Sequence, residues 1–346
     1  MKLLKKIILI LIVFLETGNL LSNDNLFNVN NILLEKKENK SNKQLADQAI
    51  KEAFNQFLNK VLMKEDIVKL SNMNITEIKE LVLYYNVSEN LDLEANQINF
   101  SVTFDKNKVH NLFYDNEISY SDITDKEIFI LPIILDVNEI FIFSNNYFYE
   151  NWNKDENYQL IEFILPLENI EIIQKINKFR GNLFNLRLKN LFKEYSNKNL
   201  ALVLIENKAS NTQKIYLKAI IQDKAISKNL TFKKNNFKTE NLNKKIKFEI
   251  KEELTNLIKS RNLIDIRTPS FLNVKLNLEK GNNLSALDSK IKNIDLIDNI
   301  FIQEFTNDYV KIRIKYLGKL EKIINELKKE NIRLELIGDQ WFIKVL

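Results

Sequence analysis

The feature that most constrains the fold is the apolar run at residues 127–136, where seven apolar residues are interrupted only by Pro132. The run is too short to cross a bilayer as a helix and too continuous for a strand with one face in water. It therefore predicts a strand that is buried on both faces. Because proline cannot donate a hydrogen bond to a neighbouring strand, Pro132 places the far end of this strand at a sheet edge or at the exit to the next module.

The residues before this run predict a first module. Apolar residues recur every three or four positions between Ala46 and Leu62, which indicates an amphipathic helix. Asn74, with Glu77 three residues later, predicts a capping box at the start of a second helix. The element order β-α-α-β-β-α-β is typical of helices on one face of a mixed sheet. We expect an N-terminal α+β module at residues 26–136, closed by the buried strand.

The rest of the 346-residue chain predicts two further modules. Residues 137–267 contain short strands, helices and one long helix, which indicate a middle α/β module. Residues 271–346 follow the order β-α-β-β-α-β with a final strand pair, which predicts a C-terminal ferredoxin-like module. In its strand at residues 309–316, apolar residues alternate with charges, so we expect one buried and one wet face. The predicted fold class is α+β, with three small modules whose mixed sheets are covered by helices.

The N-terminus has the layout of a secretory signal. Three lysines within residues 1–6 precede nine uninterrupted apolar residues at 7–15. We expect residues 1–22 to be a signal peptide or an uncleaved N-terminal anchor. The expected location is periplasmic, with attachment to the inner membrane if the segment is retained.

The residue inventory excludes several kinds of chemistry. The chain has no cysteine, which rules out disulfides, thiol nucleophiles, thiolate metal sites and acylation at cysteine. His110 is the only histidine, and we expect it at the surface or at an edge of its helix rather than in a catalytic site. The five glycines are scattered singly, so no phosphate-binding loop is formed. We expect no cofactor, no metal and no catalytic residue.

One charged stretch is a candidate anion-binding patch. Between residues 228 and 251 there are eight lysines against two glutamates, interleaved with three phenylalanines. Such a local excess of positive charge suits an anionic membrane surface, although a solvated lysine-rich loop is the simpler interpretation. The net charge of +5 is too small for a polycation that binds nucleic acid. The candidate residues are Lys233, Lys234, Lys238, Lys244 and Lys245.

Several segments together resemble a known family. The pattern over residues 26–152 is similar to the domain-of-unknown-function 2066 family of proteobacterial envelope proteins. The resemblance implies export and this modular layout, and it supplies no catalytic residues. The matching segments are the strand at 27–33, the alanine-rich helix at 46–53, residues 100–105, Ile130-Leu131-Pro132 and Asn151-Trp152.

These observations favour binding over catalysis. We expect an exported periplasmic protein of the cell envelope that acts as a non-catalytic interaction module, with another envelope protein as its partner. One alternative is a hydrolase that uses carboxylates alone, since carboxylates are the one catalytic route that the inventory leaves open. The other is a membrane-surface protein tethered by an uncleaved leader.

Overall fold

A computed structural model mixes helices with strands in several mixed sheets, which confirms the predicted α+β class. The predicted leader and Lys238 lie outside the residues that the structure describes. The described residues are 26–36, 41–88, 97–123, 125–137, 139–154, 160–207, 211–234, 239–278 and 284–346.

The chain divides into two compact units. Unit one is drawn from the described residues within 1–59, 69–118 and 265–346, and unit two from those within 60–68 and 119–264. The segments predicted as the first and the third module therefore contribute to the same unit. The three module boundaries themselves stay a prediction.

The N-terminal part of unit one is a three-stranded antiparallel sheet in the order β1-β3-β2, with a long helix packed on it. The predicted stripe of this helix is buried, and the rings of Phe54 and Phe57 lie 5.9 and 5.1 Å from the ring of Phe104 on the central strand. The elements are β1 (Asn28–Glu35), α1 (Asn42–Val61), α2 (Lys64–Leu70), α3 (Ile75–Glu80), β2 (Val82–Ser88), β3 (Gln97–Phe104) and α4 (Lys106–Asp115).

Unit two is built on a six-stranded sheet in the order β10-β9-β8-β5-β6, with β7 also paired to β5. A separate two-stranded pair, β4 with β11, joins the beginning and the end of this unit's main segment. The elements are β4 (Tyr120–Ser121), β5 (Glu127–Leu135), β6 (Ile140–Phe141), α5 (Tyr147–Asn151), β7 (Glu162–Ile164), α6 (Ile170–Lys178), α7 (Leu188–Leu191), β8 (Asn199–Glu206), β9 (Thr212–Ile221), β10 (Lys224–Lys233), α8 (Thr239–Arg261) and β11 (Leu263–Ile264).

The apolar run is strand β5, buried on both faces as predicted. Ile128 and Ile130 belong to a core that includes apolar residues of α8, whereas Phe129 and Leu131 belong to a second core on the opposite face, with residues of α6 and α7. The expectation that this strand closes the first module is wrong, because β5 pairs along its whole length with β8. A strand that is apolar on both faces needs cover on both sides, and unit two provides it.

Pro132 lies at a gap in the sheet. On the side away from β8, β5 pairs with β7 through residues 127–129 and with β6 through residues 134–135, which leaves Pro132 between them. The amide of Asn146, which is fully buried, donates a hydrogen bond of 2.9 Å to the carbonyl of Pro132. Because the N and the C=O of a strand residue point to the same side, the missing N–H of the proline faces this gap.

The C-terminal part of unit one has its own five-stranded sheet in the order β13-β14-β12-β16-β15. Its first strand lies next to its third, as in a split β-α-β arrangement, and β16 is inserted beside the first strand, parallel to it. Buried residues of both helices, such as Leu287 and Ile323, cover one face. The elements are β12 (Ser270–Asn277), α9 (Leu284–Ile291), β13 (Ile297–Phe305), β14 (Tyr309–Tyr316), α10 (Leu320–Lys329), β15 (Ile332–Ile337) and β16 (Gln340–Val345).

Candidate functional site

The uncovered face of the C-terminal sheet gathers cations and aromatic rings. On β12 and β14 every second residue is buried under the helices, and the residues between them point to the other face. Residues directly opposite one another in an antiparallel pair share a face. The central pairs on the uncovered face are Phe271 with Lys315, Asn273 with Arg313, and Lys275 with Lys311.

Two of these cations lie over rings of the same face. The Nζ of Lys275 is 3.8 Å from the ring centre of Tyr309, and the guanidinium carbon of Arg313 is 4.1 Å from that of Phe271. The ring of Phe342 on β16 lies 6.0 Å from Lys275. Such cation–π contacts orient the charged groups and let their alkyl stems lie along the sheet.

The register of the outer strands adds more residues to this face. Phe301 on β13 lies opposite Arg313, and Lys344 on β16 lies opposite Arg333 on β15. Phe271 and Phe301 remain 46% and 43% exposed. We call this surface the basic face. Its six cations are Lys275, Lys311, Arg313, Lys315, Arg333 and Lys344, and its four rings are Phe271, Phe301, Tyr309 and Phe342.

Carboxylates neutralise half of these cations. Lys311 and Lys315 form ion pairs of 2.6 Å with Glu304 and Asp298. Arg333 forms one of 2.7 Å with Glu335. Within the described part of the chain, Lys275, Arg313 and Lys344 have no carboxylate at ion-pair distance. The basic face therefore keeps three positive charges in excess.

Hydrogen bonds hold the Glu304 pair in its charged form. The bond from Lys311 lowers the pKa of Glu304, and the bond of 2.6 Å from the Tyr309 hydroxyl lowers it further. The same bonds raise the pKa of Lys311 and of Tyr309. Both partners of the Glu304–Lys311 ion pair are therefore ionised at neutral pH.

The predicted lysine patch lies in unit two, at the end of β10 and the start of α8. Lys233, Lys244 and Lys245 are exposed, and Lys234 is half-buried. Lys244 forms an ion pair of 2.8 Å with Glu240, one helical turn away, and this bond lowers the pKa of Glu240. The role of these residues in anion binding stays a prediction.

Three other lysines of the same stretch are engaged within unit two. Lys228 forms an ion pair of 2.6 Å with Glu253. Lys247 is buried and donates a hydrogen bond of 2.7 Å to the backbone of Asn151. Lys251 is buried with its Nζ 5.9 Å from the ring centre of Trp152. The excess of positive charge counted along residues 228–251 is therefore larger than the excess that this stretch exposes at the surface.

His110 is buried in unit one, so the expectation of a surface or edge position is wrong. Its helix α4 turns Val109 and Phe113 inward, and the adjacent imidazole lies edge-on to the Phe27 ring with centres 5.5 Å apart. Burial, with a smaller effect from the charge of Lys106, lowers the pKa of His110 to about 4. The imidazole is neutral at pH 7.

Unit two carries an open cavity of about 320 Å³ beside β9 and β10. Its wall includes Phe184 and Tyr216, whose rings meet edge to face with centres 4.6 Å apart. A glycosidase needs two carboxyl groups that flank the bond to be cleaved. The lining of this cavity contains one, that of Glu206.

Across the described ranges, no group of three or more acidic or histidine side chains is placed to hold a metal ion. No helix in that part of the chain is both long enough and apolar enough to cross a membrane.

Comparisons with known proteins leave the family open. No protein-family model matches the chain, and no curated protein matches it. The chain is similar to one solved structure, the crystal structure of an uncharacterized protein, with a TM-score of 0.18 and 10% identity over 40% of this chain and 94% of that one. Similarity at this level carries no argument about fold or function. The resemblance to the domain-of-unknown-function 2066 family stays a prediction.

The sequence alone does not reveal the basic face, although it shows the alternating charges on one of its strands, β14. The alternation of charges in residues 309–316 predicted a wet face on β14. The positions of Phe271, Lys275 and Phe342 gain meaning only when β12 and β16 are known to be its neighbours.

Proposed function

We propose that this chain is an exported protein of the cell envelope that works by binding, and that its basic face holds an anionic partner. One observation carries the proposal. Six cations and four rings lie on a single exposed sheet face, and among the described residues three carboxylates pair with them. A surface of one dominant sign attracts partners of the opposite sign before contact.

The geometry favours contact with an extended partner over capture of a small molecule. The cations are spread over four adjacent strands, β14, β12, β16 and β15, so their attraction is distributed across the sheet. Small-molecule sites are concave and mostly apolar, with a few converging polar groups. The basic face instead offers many similar charges side by side, which suits repeated negative charges on a partner.

Export rests on the layout of the N-terminus, with its lysines followed by nine apolar residues. An exported chain meets its partner in the cell envelope. There the candidates are an acidic segment of another envelope protein and the anionic surface of a membrane. Both meet the basic face through the same charge complementarity.

Photo-crosslinking in intact cells tests the proposal. A photoreactive residue at Asn273, which is exposed at the centre of the basic face, should give products in the envelope fraction. A lipid product and a protein product both count, because the proposal specifies an anionic partner and not its class.

Asn325 provides the matched control, since it is an exposed asparagine on α10, the helix that covers the opposite face. The same photoreactive residue there should give much lower yields. Equal yields at the two positions would show that the basic face is not the binding surface. Recovery of the chain from the cytoplasm would refute export.

A further inference from the structure

We infer that the partner of the basic face is a bilayer surface that contains anionic phospholipid. This inference rests on the proposed function and names the class of partner for the same surface. The proposed partner is lipid headgroups in a bilayer. Binding to acidic polypeptides and to nucleic acids is measured as the alternative.

The kinds of cation on the face favour headgroups over a protein. Four of the six are lysines, and lysine is depleted at protein–protein interfaces, where arginine is enriched. The lysine ammonium group is a compact point charge that does not require a planar, bidentate acceptor. It can therefore approach a phosphate from many directions. Four lysines on one sheet face therefore suit a surface of mobile phosphates.

The rings favour a bilayer over single-stranded nucleic acid. Proteins that bind single strands use the open faces of aromatic rings as platforms for stacked bases. Here Lys275 lies over the Tyr309 ring and Arg313 over the Phe271 ring, so one side of each of these rings is occupied. The half-exposed rings of Phe271 and Phe301 instead place apolar surface among the cations, as in surfaces that rest at the boundary of headgroups and acyl chains.

Co-sedimentation of the exported chain with vesicles tests the inference. One set of vesicles is phosphatidylcholine, and the other is an equal mixture of phosphatidylcholine and phosphatidylglycerol. Binding should require the anionic lipid and should fade as salt is added, because salt screens charges over about 10 Å or less. A soluble acidic polypeptide, polyglutamate, and a single-stranded oligonucleotide are measured in parallel.

The informative variant removes the three cations that have no ion pair with a carboxylate of the described ranges, by Lys275→Gln, Arg313→Gln and Lys344→Gln. Each such charge contributes roughly fivefold to affinity for an anionic surface, so the triple variant should bind vesicles about a hundredfold more weakly. The matched control removes the same charge from three exposed lysines of unit two that lie outside the predicted lysine patch, by Lys178→Gln, Lys214→Gln and Lys224→Gln. Because all variants share the same N-terminus, the comparison isolates the surface.

A second variant separates lipid from soluble anions. Phe301→Ser should weaken binding to anionic vesicles several-fold and leave binding to polyglutamate unchanged, because the contacts of Arg313 with Phe271 and of Lys275 with Tyr309 stay in place. Thermal unfolding confirms that each variant is folded, since the Phe301 ring is about half exposed and lies outside the buried core.

The outcomes distinguish the inference from the proposed function. Salt-sensitive vesicle binding that is lost in the basic-face triple variant and kept in the control supports both. Binding to polyglutamate or to the oligonucleotide through the same three cations, without vesicle binding, overturns the membrane inference and leaves the proposed anion-binding surface standing. Equal binding by the basic-face variant and the control variant overturns both.

Discussion

Replacing Asn146 by aspartate tests whether one buried amide supports the interrupted side of β5. The Asn146 side chain accepts hydrogen bonds from two backbone N–H groups at the start of α5, in the manner of a helix N-cap. Its amide nitrogen carries two hydrogens and faces three carbonyl oxygens. The acceptors are those of Pro132 at 2.9 Å, Phe141 at 3.1 Å and Ile142 at 2.8 Å.

The expected loss of stability follows from this geometry. The aspartate keeps the capping oxygen and loses both hydrogens, so at least two buried carbonyls lose their donor. Each such loss costs about 1–3 kcal/mol, which gives about 2–6 kcal/mol for Asn146→Asp. That is a large share of the roughly 5–15 kcal/mol by which a typical domain is stable.

The loss should also depend on pH. Burial and the facing carbonyl oxygens disfavour the charged form of the introduced carboxyl and raise its pKa in the folded state. The folded state then binds a proton more readily than the unfolded state, so the destabilisation is largest at neutral pH and shrinks as the pH falls. A protonated carboxyl can also donate one hydrogen bond again.

Urea unfolding followed by the fluorescence of Trp152 measures this effect. Trp152 is fully buried directly after α5, and Trp341→Phe removes the second tryptophan of the chain. The control is Asn151→Asp, because the Asn151 amide donates a single bond, 2.9 Å to Tyr147. A change of less than about 1 kcal/mol for Asn146→Asp, or a loss that grows as the pH falls, would refute the reasoning.

Three further predictions concern single residues. Lys259 donates a bond of 2.7 Å to the carbonyl of Leu62, and burial lowers its pKa to about 8 from 10.5. Between these two pH values the Lys259 side chain is protonated in the unfolded chain and neutral in the folded one. The free energy of unfolding should therefore rise as the pH rises from 8 to 10.5. An equal rise in Lys259→Met would contradict the lowered pKa of Lys259. Because the pKa of His110 is lowered, the unfolded chain binds more protons than the folded chain between pH 6.5 and 4. The free energy of unfolding should therefore fall as the pH falls through this range, and it should fall less in His110→Gln. An NMR titration of the imidazole with a midpoint near pH 6.5 would count against this. Removing the cap with Asn74→Ala should cost about 1 kcal/mol in urea unfolding, whereas Asn74→Asp should cost little, and equal losses would argue against a capping role.

The parts of the fold that depend on neighbours in sequence could be predicted. The stripe of α1 is buried, and Asn74 forms the predicted capping box with Glu77 through bonds of 2.8 to 3.0 Å. These features involve residues three or four positions apart. Their chemistry is therefore complete within a short stretch of sequence.

Features that depend on distant pairing could not be predicted in the same way. The composition of β5 showed that both of its faces are buried, but not which helices cover them. Its partner β8 begins at Asn199, far along the chain. Nothing in the local pattern distinguishes a strand that closes one sheet from a strand at the centre of the next.

The candidate site shows the same division. Counting charges along the sequence drew attention to the lysines of residues 228–251, where Lys247 and Lys251 are buried. The basic face has no dense run of charge, because its cations come from β12, β14, β15 and β16. Sheet order, which brings alternate residues of separate strands together, is the information that a linear count lacks.

The small pair of β4 and β11 has a consequence for the order of events during folding. Unit one draws on residues before and after the main segment of unit two, whereas that segment is continuous from residue 119 to residue 264. Tyr120 and Ser121 pair with Ile264 and Leu263, so the folding of unit two brings the two ends of its main segment together. Closing so long a loop in a free chain has a length-dependent cost of about 4 kcal/mol, which unit two meets with its own packing. Folding of unit two therefore tethers the C-terminal strands close to the N-terminal segment with which they share unit one.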